Sequence, residues 1–172
     1  RESIRITACG VYLIWFAVCT TARTIFLQTI VFTVSGYDTP SWRIWSCYAN
    51  PYISLVLGYT CIWLTVGIAV ERVLIECFNM NLYETRRHAI VVSIVALVYS
   101  SASNLPAIFA REFLPDPLGQ VICVYDYQSH QAWSLVDTAF SYVNLIVPCT
   151  AHLVCTVCIL TTIARRKILI CK

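Results

Sequence analysis

The sequence predicts an all-α, polytopic membrane helix bundle, and three observations carry that expectation. Of the 172 residues, 59% are hydrophobic and only 12% charged, with a mean hydropathy of +0.72; a soluble chain carries about twice that charge. Four stretches are long and apolar enough to cross the roughly 30 Å hydrocarbon core of a bilayer at about 1.5 Å of helical rise per residue. The connections between them alternate in charge, as an excess of Lys and Arg on cytoplasmic loops requires.

The first helix is expected over about residues 8–34, entering on Ala8-Cys9-Gly10-Val11-Tyr12 and stopping at Ser35-Gly36, a helix-stop signal. A short outer connection follows, Gly36 to Ser46, with Asp38, Pro40 and two Trp residues, Trp42 and Trp45, that suit the bilayer interface. The second helix is expected over about 46–78. Its uncharged run of 23 residues, Tyr48 to Val70, spans the bilayer, and Glu71, Arg72 and Glu76 lie on the emerging turns. Asn79 to Thr85 reads as a short inner loop, and a third helix runs over about 86–110 with Pro106 near its outer end. The longest connection, Arg111 to Gln131, contains Pro115, Pro117, Gly119 and Cys123. Its apolar pairs Val121-Ile122 and Val124-Tyr125 suit a hairpin lid over the helices. The last helix, about 132–164, carries Pro148 in its outer half. No repeat or low-complexity tract divides the chain, so residues 1–172 read as one domain.

Loop charges set the orientation. Segments 1–7, 71–88 and 165–172 together hold nine Lys/Arg and four Asp/Glu, whereas Ser35 to Cys47 and Arg111 to Asp137 hold two basic and five acidic residues. The basic segments are therefore expected in the cytoplasm, with Arg1, Arg86-Arg87 and Arg165-Arg166-Lys167 inside. On this topology only Cys47 and Cys123 of the ten cysteines stand on the outer, oxidising side, which suggests one bridge, two free thiols being the alternative. Cys155 and Cys158 form a C-x-x-C within a span, without His or further Cys partners, and read as packing residues.

The most specific pattern is Cys47 followed 25 positions later by Arg72, with Glu71 beside it. It resembles the third transmembrane helix of rhodopsin-like (class A) G-protein-coupled receptors, which has a Cys at its outer end and an Asp/Glu-Arg pair at its inner end. The resemblance implies a seven-helix receptor fold, of which this chain holds roughly the second to fifth helices. Neither an initiator Met nor a polar tail is present, as expected of a fragment. By the same resemblance Cys47 pairs with Cys123 in the second extracellular loop. Glu71 would restrain Arg72 by an ion pair at rest, and Arg72, once freed, would contact a heterotrimeric G protein; an exposed interfacial pair is the bland alternative. Pro148 stands where the family's fifth helix has a proline, which deletes a backbone hydrogen bond and packs against the residue fifteen positions after the third-helix Cys, here Ile62. Pro106 also agrees with the family.

Departures mark the chain as divergent and peptide-receptor-like. Val73 replaces the usual Tyr after the charge pair, Thr20 stands where an acidic sodium-site residue is expected, the fourth helix lacks its Trp, and Thr156 replaces a Tyr eight residues after Pro148. Amine receptors of the family carry an Asp two turns inside the third-helix Cys; here that position is Ser54, and a ligand ammonium without its counter-ion is costly to bury. The outer loops offer Asp38, Glu112, Asp116, Asp126 and Asp137 against Arg43 and Arg111, a negative rim that steers cationic ligands inward. A basic peptide is the expected ligand. Its candidate contacts are Arg23, Ser54, Leu55, Gly58, Tyr125, Asp126 and Tyr127. Arg23 is the one full charge deep in a span, where central placement costs about 2.5 to 3.5 kcal/mol. It reads either as a site residue facing a carboxylate or as a side chain that snorkels to the interface. His152 reads as a neutral, packed histidine.

No Ser/His/Asp, metal or phosphate-loop pattern competes, so no enzyme activity, cofactor or metal is expected. The expected partners are the lipid bilayer, an extracellular ligand and a G protein, with no nucleic acid. Rival readings are a four-span membrane scaffold, which should concentrate cysteines in an extracellular domain, and a transporter or channel fragment, which should show paired broken helices.

Overall fold

A computed structural model of the chain describes residues 8–34, 39–78, 82–115, 121–125 and 131–170. In order they form α1 (Ala8–Val34), α2 (Pro40–Ile44), a π-helical turn (Trp45–Ala49), α3 (Asn50–Phe78), α4 (Leu82–Ser103), α5 (Pro106–Phe109), β1 (Arg111–Pro115), β2 (Val121–Tyr125) and α6 (Gln131–Ile170). Four helical stretches are long and apolar enough to cross a membrane: Gly10–Thr29, Pro40–Phe78, Arg87–Phe109 and Gln131–Arg166. The chain is thus an integral membrane protein built as an all-α bundle, with one β-hairpin. The expected inner segment 1–7 lies outside the described residues, as do Asp38, Asp116, Asp126 and Tyr127.

Helix boundaries depart from the sequence expectation at four places, three of them with a local cause. The second span does not start at 46 but at Pro40, because Thr39 caps it: the Thr39 Oγ1 accepts from the Trp42 amide at 3.3 Å, and Pro40 takes the first helical position, where a missing N–H costs nothing. The third span starts at Leu82 rather than 86, since Leu, Glu and Arg are strong helix formers. It does not run unbroken to 110. Pro106 cannot donate to the ladder, so the chain tightens into i→i−3 bonds, Leu105 N to Ala102 O at 3.3 Å and Ala107 N to Asn104 O at 3.2 Å, before α5 resumes. The last helix runs on to Ile170 instead of ending near 164, and its Arg166 bonds α3 there.

α3 is the centre of the bundle. It packs against α1, α4 and α6, and α1 also packs against α4. The core is small: Tyr12, Leu64 and Ala89 are buried together, with Val11, Trp15, Phe16 and Ile68 around them. Gly67 lets this happen, because a Cβ there would meet the Tyr12 ring at 3.2 Å and Val92 at 3.3 Å.

Elsewhere the pattern is that of a membrane protein rather than of a soluble one. Large apolar side chains such as Leu13, Ile14, Val31, Val91, Val95, Leu135, Leu145 and Leu153 face outward, while Asn50, Thr60, Ser93, Ser100, Ser103, Asn104 and Asn144 are buried between helices. Lipid offers no hydrophobic gain for burying a Leu, so small and hydrogen-bonding residues line the helix contacts. One chain of bonds shows the result: Trp63 Nε1 donates to Asn144 Oδ1 at 3.1 Å, and Asn144 Nδ2 donates to Ser103 Oγ at 3.2 Å. It joins α3, α6 and α4 at a single point.

Candidate functional site

One face of the β-hairpin is turned onto the helices, and strand alternation decides which. The strands pair antiparallel with Arg111 opposite Tyr125 and Phe113 opposite Cys123. Side chains two apart share a face, so these four residues point the same way. All four find a helix. Cys123 is disulfide-bonded to Cys47, with the Cα atoms 5.6 Å apart; Phe113 meets Tyr48 edge-on at 5.5 Å; Arg111 Nη1 donates to the Cys47 carbonyl at 3.1 Å; and the Tyr125 hydroxyl donates to Asp137 Oδ2 of α6 at 2.7 Å. Glu112 and Leu114, on the opposite face, are exposed.

The Arg111 bond has its origin in Pro51. In an α-helix the Cys47 carbonyl would accept from the amide four residues on, and Pro51 has none. The π turn Trp45–Ala49, closed by the Asn50 amide on the Trp45 carbonyl, lies at this same break. The freed carbonyl is taken by the guanidinium. Burial lowers the Arg111 pKa from its ordinary value, while Tyr125 and Asp137 push it back up.

Two cavities share Tyr59, and the larger of them is walled by the hairpin's Tyr125. The larger, about 400 Å³, is lined by Tyr59, Tyr125, Asp137, Thr138, Ser141 and Tyr142, with Leu145 at its side. The smaller, about 190 Å³, is lined by Arg23, Ser54, Leu55, Gly58, Tyr59 and Ile62. Four of the expected ligand contacts, Arg23, Ser54, Leu55 and Gly58, therefore meet in one cavity. Tyr125 belongs to the other, and Asp126 and Tyr127 lie outside the described residues.

At the far end of α3, Glu71 is half-buried and Arg72 exposed. Among the described residues no contact within 4.0 Å joins their charged groups, although the two charges attract each other. Adjacent residues point about 100° apart around a helix and do not face each other. Arg166 of α6 instead pairs with Glu76, Nη1 to Oε2 at 3.4 Å, and its second nitrogen donates to the Glu76 carbonyl. The basic end of α6 is thereby held against the end of α3.

Pro148 is fully buried inside α6. Bonds to α3 bracket it: Asn144, four residues before, holds Trp63, and His152, four residues after, lies 3.0 Å from Thr65 Oγ1. The Thr65 hydroxyl also reaches the Ile62 carbonyl at 2.7 Å. With its one proton given there it can only accept, so His152 Nε2 is the donor that satisfies both bonds. Ile62 itself lines the smaller cavity.

Among the described residues, Cys19, Cys61, Cys77, Cys149, Cys155 and Cys158 are free thiols, and no cluster of His, Cys, Asp and Glu there could hold a metal ion. No protein-family model matches the chain, and no curated protein matches it.

Sequence reading missed three contributors. Tyr59 carries no motif and was invisible. Asn144 is the one Asn in the apolar stretch of α6, a residue whose amide needs partners inside a membrane. Pro51, four residues after Cys47, foretold the open carbonyl that Arg111 fills.

Proposed function

We propose that this chain is part of a rhodopsin-like G-protein-coupled receptor, contributing the second to fifth of seven spans, and that it converts binding of an extracellular peptide into nucleotide exchange on a heterotrimeric G protein. One observation carries the reading: a single central helix is tied at one end to a β-hairpin lid through Cys47–Cys123, and at the other end presents an exposed Arg72 next to Glu71. Ligand side and coupling side are then the two ends of one rigid element. The two cavities that share Tyr59 supply a place for a ligand, and the basic, Arg166-bearing end supplies the cytoplasmic face. In this reading the protein lies in the plasma membrane, with segments 71–88 and 165–172 inside.

A ligand that stabilises one arrangement of the helices more than another shifts the population toward it. Arg72, unpaired with Glu71, is available for a G-protein α subunit. Exposed Glu112 and the cavity-lining Asp137 favour a ligand with basic groups. The test is a peptide screen on the receptor expressed with its flanking coding sequence, read as guanine-nucleotide exchange on purified G proteins. Peptide-dependent exchange supports the reading; activation by a small monoamine and by no peptide contradicts the ligand class, and no exchange with any ligand contradicts the receptor.

A further inference from the structure

Arg23 is a cation in a membrane span with no hydrogen-bond acceptor or counter-ion among the described residues. Its guanidinium lies over Gly58, where an added Cβ would meet Cζ at 3.4 Å and Nε and Nη1 at 3.6 Å. The missing side chain is what lets the planar group lie close to α3. Among the described residues the buried Ser54 Oγ, one turn nearer the hairpin, has no hydrogen-bond partner, and neither has Asn50 Oδ1 one turn further; Asn50 is only 1% exposed. Buried polar groups are almost always hydrogen-bonded, and each exception asks for an explanation. Arg23, Ser54 and Gly58 line one cavity of about 190 Å³ together with Leu55, Tyr59 and Ile62, and the exposed Arg23 brings an unanswered positive charge to it.

We infer that this cavity binds a carboxylate carried on a small apolar group. The guanidinium fork matches two carboxylate oxygens in a way no ammonium or neutral group can. At about 30 Å³ per water, the volume holds about six waters, enough for a carboxylate and a short hydrocarbon stem, and too small for a whole peptide. Under the receptor reading, on which the identity of the ligand rests, a peptide enters with its free C-terminal carboxylate leading, and its basic side chains remain in the larger cavity beside Asp137. The same chemistry is offered by a fatty acid arriving from the bilayer.

The experiment uses the detergent-solubilised chain and saturation-transfer NMR with four probes: hexanoate, hexanamide, the dipeptide Leu-Leu as free acid, and its C-terminal amide. Both acids should bind, or the acid of one source alone, and each should bind at least about tenfold more tightly than its amide, the size of a charge-assisted hydrogen bond. Leu-Leu acid binding more tightly than hexanoate assigns the site to a peptide terminus, and the reverse order to a fatty acid. R23Q should abolish the acid preference. R23K keeps the charge and so the fold, and should lose most of the preference with the fork geometry. G58V leaves every charge in place and should weaken acid binding by displacing the guanidinium. Equal binding of acids and amides, or full acid preference in R23Q, overturns the inference. Nucleotide exchange is read separately, so an Arg23-dependent acid preference in a chain that drives no exchange upholds the site and removes the receptor reading.

Discussion

Arg111 donates to the carbonyl oxygen of Cys47 at 3.1 Å, and it does so because Pro51, four residues further on, has no amide to offer that carbonyl. The hairpin is therefore joined to the π turn at the head of α3 twice at one residue, through the Cys47 side chain and through its backbone. Arg111→Met should cost about 1 to 3 kcal/mol, the range for leaving a buried acceptor unsatisfied. Pro51→Ala restores a helical donor, so the Arg111→Met loss should shrink to less than half in that background. Thermal melting of the four proteins gives the coupling directly; equal losses in both backgrounds would show that Arg111 acts through something other than the carbonyl.

The covalent tie should matter more. Cys47 and Cys123 are separated by 76 positions, and closing so long a loop stabilises by about 3 to 5 kcal/mol in the chain-entropy account. Cys123→Ser should reduce surface expression and lower the melting temperature, and the double variant Cys47→Ser/Cys123→Ser should be no worse. A further drop in the double variant would mean that the buried Cys47 contributes mainly by packing.

The bond from Trp63 to Asn144, continued to Ser103, predicts coupling between α3 and α6. Such interhelical bonds in membranes are worth about 0.6 kcal/mol on average and about 1.7 at most. Trp63→Phe and Asn144→Leu should therefore be sub-additive by an amount in that range when unfolding is followed in detergent. Full additivity would make the bond energetically idle.

How much of this could be read from the sequence divides by physical cause. The first span matches its expected bounds, Ala8–Val34, because a long apolar run, interrupted only by Arg23 and Gln28 and ended by Ser35-Gly36, is a local signal. The bridge partners Cys47 and Cys123 were legible because topology leaves only two cysteines on one side. The gathering of Arg23, Ser54 and Gly58 followed from aligning α3 by its cysteine and asking which charge stood alone. What stayed hidden was set by tertiary geometry. The one-sided hairpin depends on a register that pairs Phe113 with Cys123. The two-cavity division depends on Tyr59, and the separation of the Glu71 and Arg72 charged groups on side-chain direction around a helix. The extra helix at Pro40–Ile44 was the exception, since Thr39 followed by Pro40 is a local start signal.

The central claim is that α3 links a ligand at the hairpin end to a G protein at the Arg72 end. It is tested most directly by measuring agonist-stimulated guanine-nucleotide exchange and agonist affinity for the receptor and its Arg72→Ala variant in the same membranes. The account predicts unchanged ligand affinity and surface expression with exchange reduced to the unstimulated rate; exchange undiminished in Arg72→Ala would contradict it and leave Arg72 an interfacial charge.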